Sequence, residues 1–168
     1  HKTIIEAMAK IENKNLHYII AGCGSLGSEL SELAEKHNMK DRVHLPGFCK
    51  DVSELLKSSD IFCFPSTREG MPLALMEAMA AGLPAVVSNI RGNNDLIIAD
   101  KGGFLYGPND VNGFAEGIEK LIASPSLRRE MGRFNKEHVR KYDIKNVMKE
   151  FSRLCFPNET ETAELQKS

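Results

Sequence analysis

Apolar residues recur along this chain at two spacings, and the switching between them sketches an alternation of helices and strands. Ile4, Ile5, Met8 and Ile11 fall at three- and four-residue steps, the spacing of one helix face, so the sequence enters in a helix. LHYIIA, 16–21, is instead a continuous apolar run of strand length, and a helix is expected over 28–37. RVHL, 42–45, reads as a second strand ending in the turn residues Pro46 and Gly47, with Asp51 placed to cap a short helix over 52–57. IFCFPS, 61–66, is a third strand, and the strong helix formers of 73–81 follow it. Gly82 and Pro84 stop that helix before another apolar run, PAVVSNI over 84–90. A short helix over 93–98 and a last strand over 102–106 complete the alternation.

The carboxyl-terminal third is helical throughout. Asp110 is placed to cap a helix whose Val111, Phe114, Ala115, Ile118, Leu121 and Ile122 form one apolar face, ended by Ser124-Pro125. A second helix is expected from 126 to about 141, and a third carries Ile144, Val147, Met148, Phe151, Leu154 and Cys155 on one side. Arg129, Arg133, Lys136, Arg140, Lys145, Lys149 and Arg153 make a basic stripe, which reads either as a solvated face or as a surface for anionic lipid headgroups. Residues 157–168 are polar and without periodicity, the signature of a disordered tail. Strands alternating with helices predict one α/β domain over 1–156, a doubly wound, Rossmann-like parallel sheet.

With 42% apolar and 27% charged residues and a net charge of −1, the chain has an ordinary globular composition and no basic excess for nucleic acid. No run approaches the length of a membrane span and no signal peptide opens the sequence, so a cytoplasmic location is expected. Cys23, Cys49, Cys63 and Cys155 form no metal-spaced pair; small buried hydrophobes in a reducing compartment are expected, with no metal site. Asn158-Glu159-Thr160 matches a glycosylation acceptor by chance.

The candidate chemistry lies in EGMPLALMEAMAAGLP, 69–84, where a loop feeds directly into a helix with Pro72 suited to the first helical position. In a strand–loop–helix–strand unit, the unpaired backbone N–H groups of the first helical turn attract an anion such as phosphate. Glu69 and Glu77 flank that position. A carboxylate is poorly matched to phosphate but accepts hydrogen bonds from a diol, so the pair suggests a ligand with both phosphate and hydroxyls, as in a nucleotide sugar. Gly22-Cys23-Gly24-Ser25-Leu26-Gly27 is a G-x-G-x-x-G string, but no acidic residue ends the next strand, and the glycines read as a tight turn.

Ser66 to Ser88 resembles the E-x7-E segment of the retaining glycosyltransferases of family 4, and IIAGCG, RVHLPGF, DVSELLKSSDIFCFPS and GGFLY fall in that family's order to about Cys155. The resemblance implies the carboxyl-terminal half of a two-domain GT-B fold. It further implies a donor site in which Glu69, the catalytic candidate, holds sugar hydroxyls, the Gly70, Met71, Pro72 and Leu73 backbone holds the diphosphate, and Glu77 the ribose. Ser66 would join that site, and Phe48 and Cys49 would meet the base or belong to a plain connection. No cofactor or metal is implied beyond the nucleotide-sugar substrate. The family usually has Gly-Phe-Gly after the first glutamate; here Met71 and Pro72 stand instead, and proline removes one N–H donor.

The family also has, before the first helix, a strand and a loop with an Arg and a Lys on the diphosphate. By resemblance the chain lacks these and the amino-terminal acceptor domain, and is expected to be inactive alone. The absent strand leaves a gap between LHYIIA and IFCFPS, to be closed by direct pairing, by upstream sequence or by a second molecule. Two other classes remain: a hydrolase using Glu69 and Glu77 as acid and nucleophile, disfavoured because one strand–helix turn presents both from the same side, and a non-catalytic nucleotide-binding module.

Overall fold

A computed structural model describes residues 1–156; the expected disordered tail and the Asn158 acceptor motif lie outside the described residues. The chain runs α1 (Lys2–Lys10), β1 (Tyr18–Ala21), α2 (Gly27–Lys36), β2 (Val43–Gly47), α3 (Val52–Lys57), β3 (Phe62–Phe64), α4 (Leu73–Ala81), β4 (Ala85–Ser88), α5 (Asn93–Leu96), β5 (Gly103–Tyr106), α6 (Val111–Ala123) and α7 (Pro125–His138). A 3-10 turn, Val139–Tyr142, then leads into α8 (Ile144–Cys155). This is the expected α/β order with every observed strand pairing parallel.

The strands form two sheets, β1-β2 and β3-β4-β5. Direct pairing of 16–21 with 61–66, one of the three closures considered for the gap, does not occur among the described residues. What joins the sheets is apolar packing: Tyr18 of β1 and Cys63 of β3 border one cluster with Ile4, Ile5 and Met8 of α1, Val86 of β4 and Phe114 of α6. Burial raises the Tyr18 phenol well above its ordinary pKa and pushes the Cys63 thiol up to about 12. A second cluster sets Leu75 and Met79 of α4 against Ala85 and Val87 of β4, Leu96 of α5 and Ile97 just after it.

Several expectations are corrected. β2 runs on through Pro46 and Gly47 instead of ending at 45, because the Ala21–Gly47 pairing and the Gly22 N–H donated to the Gly47 carbonyl (2.8 Å) extend the ladder past the proline. In α4, Leu75, Ala78 and Met79 are buried and Leu73 is 67% exposed. Of the thiols expected to be buried, Cys23 and Cys155 are instead exposed. α8 leaves its apolar side open, with Ile144, Phe151 and Leu154 exposed.

Two close approaches fix the frame around α4. Gly82 ends the helix with φ +84°, the left-handed cap its sequence predicts. Asn135 of α7, fully buried, donates from Nδ2 to the Leu83 carbonyl (2.8 Å) and to the Gly102 carbonyl (2.7 Å). One side chain thereby ties α7 to the entrances of β4 and β5.

Candidate donor site

The β3–α4–β4 unit places the site at the carboxyl ends of its strands. Pro72 is the N-cap of α4 and not its first helical residue, since its ψ of 94° is extended; its carbonyl accepts from the Leu75 (3.1 Å) and Met76 (3.2 Å) N–H groups. No side chain caps this end, so the positive end of α4 faces outward with its first amides open to an anion. Proline's missing N–H falls outside the first helical turn, which limits what the Pro72 substitution removes.

Glu69 is half-buried and held in place. The Ser66 hydroxyl donates to Glu69 Oε1 at 2.7 Å, leaving the other carboxylate oxygen for a ligand. Behind it stands Gly92, with φ +89°: a Cβ there would lie 2.7 Å from the Gly70 carbonyl oxygen and 3.3 Å from the Glu69 Cβ. The loop before α5 can thus back the Glu69-Gly70 turn only with glycine. The Gly92 N–H donates to Asp95 Oδ2 (3.2 Å), and fully buried Asn93 donates to the Ser88 carbonyl (3.0 Å), securing this backing loop to the end of β4.

Gly70, Met71 and Leu73 are exposed around the helix start, with Pro72 buried beneath them. Glu77 is exposed one turn into α4, on the same outer face as Leu73, and lines with it a cleft that does not include Glu69. Phe48, 76% exposed, and Cys49, whose Sγ contacts the Gly47 carbonyl at 3.8 Å, follow β2 on a loop of their own. Arg91, on the loop before α5, is exposed. Among the described residues no group of three His, Cys, Asp or Glu side chains could hold a metal ion.

Sequence reasoning places Gly92 on the same rim as Glu69 but misses its close contact with the Glu69-Gly70 turn, and it misses the buried tie from Asn93 to β4. It also missed a cleft of about 440 Å³ along the outer face of α4. Leu73, Met76 and Ala80 form one side, and Lys136, Val139 and Arg140 the other, with Glu77, Tyr142 and Asp143 completing the rim.

Parallel strands alternating with helices make a Rossmann-like fold, and its structural neighbours are GT-B glycosyltransferases. The chain belongs to the family of glycosyl transferases group 1, whose model matches residues 1–138. It is 41% identical over 105 residues to the Escherichia coli UDP-Gal:alpha-D-GlcNAc-diphosphoundecaprenol alpha-1,3-galactosyltransferase, covering 62% of this chain and 27% of that one. It is 30% identical over 137 residues to the N-acetyl-alpha-D-glucosaminyl L-malate synthase of Bacillus anthracis, covering 81% and 36%. In structure it is similar to Anabaena HepE in complex with UDP (TM-score 0.86, 21% identity, 91% of this chain and 44% of that one). A second similar structure is sucrose-phosphate synthase from Thermosynechococcus elongatus (TM-score 0.79, 27% identity, 93% and 42%). The chain therefore spans less than half the length of each of these proteins.

Proposed function

We propose that this chain is the nucleotide-sugar half of a retaining hexosyltransferase that transfers a sugar from a nucleoside diphosphate to a glycan or lipid-linked acceptor. The observation that carries the reading is Glu69, held by Ser66 at the open start of α4. In this reading the backbone from Gly70 to Leu73 and the helix dipole receive the diphosphate, and Glu69 receives sugar hydroxyls. Glu77 takes the ribose diol, and Phe48 and Cys49 lie toward the base. The helix end neutralises part of the diphosphate charge, so binding requires no divalent metal and no further cofactor. UDP bound to HepE and UDP-galactose in the name of the Escherichia coli relative favour a uridine donor.

Transfer itself requires the further length that the relatives have, since a donor and an acceptor must be aligned and shielded from water, an effect worth ~7–11 kcal/mol. The acceptor named for the Escherichia coli relative is lipid-linked, which supports work at the cytoplasmic membrane surface. No described helix is long and apolar enough to cross a membrane, and Arg129, Arg133, Lys136, Arg140, Lys145 and Lys149 are all exposed for peripheral contact with anionic headgroups.

The test is calorimetric titration of the chain with UDP, GDP and ADP, then with the corresponding UDP-sugars, in the presence and absence of EDTA. Saturable, EDTA-resistant binding of one nucleoside diphosphate is expected. Absence of binding to all of them would defeat the donor reading. Retention is read by NMR from the anomeric configuration formed by the full-length protein.

A further inference from the structure

The outer face of the β1-β2 sheet carries a pair of side chains that the donor site does not use. The ladder sets Tyr18 opposite Val43, and both turn into the core cluster that holds α1 and α2. Side chains alternate along a strand, so His17, just before Tyr18, and His44, just after Val43, turn to the opposite face, where both are exposed. There His17 Nδ1 and His44 Nε2 lie 3.0 Å apart in a single hydrogen bond. The ring planes are within 15° of each other and the centroids 5.3 Å apart, so with that nitrogen gap the rings meet edge to edge, nitrogen facing nitrogen.

Strand register holds the pair together. The Tyr18 N–H donates to the Arg42 carbonyl (2.8 Å), and Ile19 is paired with His44, so the ladder itself sets the two imidazoles side by side. Their nitrogens have only each other: among the described residues no carboxylate stands within ion-pair distance of either ring. The nearby cations are turned elsewhere, Arg42 to the Asn13 carbonyl (3.4 Å) and Lys40 to Glu35.

We infer that His17 and His44 form a two-nitrogen site for a divalent late transition-metal ion, Ni2+, Cu2+ or Zn2+, with water in the remaining positions. Imidazole nitrogen suits these ions, whereas Mg2+ and Ca2+ take oxygen ligands. With metal–nitrogen bonds of about 2.0–2.1 Å, nitrogens 3.0 Å apart subtend about 95° at the ion, near the right angle between neighbouring ligands of a tetragonal or octahedral site. Ni2+ and Cu2+ therefore fit better than tetrahedral Zn2+. In the free pair one N–H proton lies between the facing nitrogens. On binding, that ring changes tautomer, its proton passing to the outer nitrogen, and a turn of each exposed ring aims both lone pairs at one point beside the N···N line. The bound ion clips β1 to β2, a sheet that no ladder joins to β3-β4-β5 among the described residues. The pair sits toward the amino-terminal ends of its strands, away from the loops after Ala21 and Gly47, and the inference does not rest on the donor reading.

The probe is NiCl2, titrated by calorimetry into the 168-residue chain at neutral pH, with MgCl2 as the control ion. ZnCl2, which is diamagnetic, serves for nitrogen NMR of the imidazoles. His17→Ala and His44→Ala each remove one ligand from an exposed position, and His1→Gln removes the imidazole that has the terminal amine beside it. Saturable binding of one Ni2+ at the pair is expected, weakened about tenfold or more in His17→Ala and in His44→Ala and retained in His1→Gln. Zn2+ should shift His17 Nδ1 and His44 Nε2 while the outer nitrogens of both rings keep their protons. Excess Ni2+ should raise the melting temperature of the parent chain and leave those of His17→Ala and His44→Ala unchanged, because an ion held only by the folded pair stabilises the fold. The inference is overturned if Ni2+ does not saturate, if either ligand variant binds it as tightly as the parent, if His1→Gln abolishes binding, or if Mg2+ binds equally. Zn2+ shifts confined to His1, His37 or His138 would also overturn it, by placing the ion elsewhere. So would an equal rise in melting temperature in the parent and both ligand variants.

Discussion

The Ser66 hydroxyl donates to Glu69 Oε1 at 2.7 Å across the turn between β3 and α4, so the carboxylate is oriented before any ligand arrives. Preorientation of this kind means that the cost of fixing the side chain is met in folding and not in binding. Ser66→Ala should spare the affinity for a bare nucleoside diphosphate and weaken the nucleotide sugar by about 1 kcal/mol, roughly fivefold, read by calorimetry with the two ligands side by side.

The two glutamates should separate in the same experiment. Glu77→Ala removes two charge-assisted hydrogen bonds to a ribose diol, roughly 2–4 kcal/mol together, and weakens both ligands by about tenfold to a thousandfold. Glu69→Ala should weaken only the nucleotide sugar. Equal losses for both ligands in both variants would refute this division.

Gly92→Ala tests the backing of the turn. The new Cβ meets the Gly70 carbonyl oxygen at 2.7 Å in a backbone with φ +89°, so strain of about 1–3 kcal/mol combines with displacement of the Glu69-Gly70 turn. A lower melting temperature together with lost preference for the sugar nucleotide is expected. Normal selectivity at reduced stability would mean that Gly92 serves the fold alone.

The fold is most legible in the sequence where one short stretch carries its own constraint. Glu69-Gly70, the helix formers after it and Gly82-Pro84 fix loop, helix and stop locally, and φ +84° at Gly82 bears this out. The caps at Asp51 and Asp110 were legible for the same reason, and each accepts the N–H expected of it, from Glu54 (3.0 Å) and Gly113 (2.9 Å). The buried face of α4 was not legible, because a helix apolar nearly all round has no periodicity to read. Asn135 looked like any polar residue of α7; its partners lie 33 and 52 residues away in the chain, and only the folded structure brings them together.

Asn135→Ala therefore tests a long-range tie. It leaves the Leu83 and Gly102 carbonyls without their amide donor inside the protein, at a cost of at least about 2 kcal/mol. At 2–4 °C per kcal/mol the melting temperature should fall by about 4–8 °C, measured by calorimetric scanning. Nucleotide affinity should be preserved at temperatures where the variant is folded.

Thiol chemistry should divide the cysteines. Burial pushes Cys63 up to about 12, so almost none of it is thiolate at neutral pH, whereas Cys23 and Cys155 stand exposed. Brief iodoacetamide treatment of the native chain, followed by peptide mass spectrometry, should label Cys23 and Cys155 and leave Cys63 unmodified until denaturant is added. Early labelling of Cys63 would show that β3 opens on the timescale of the reaction.

Among the described residues, strands β1 and β3 each have a partner on one side only, and parallel strands in a protein interior ordinarily have one on both. Such strands are templates for further backbone pairing wherever another chain reaches them, and a net charge of −1 offers little repulsion between molecules. The colloidal behaviour of this chain will accordingly follow its sheet edges more than its surface charge. Its light scattering should rise with protein concentration and respond only weakly to added salt.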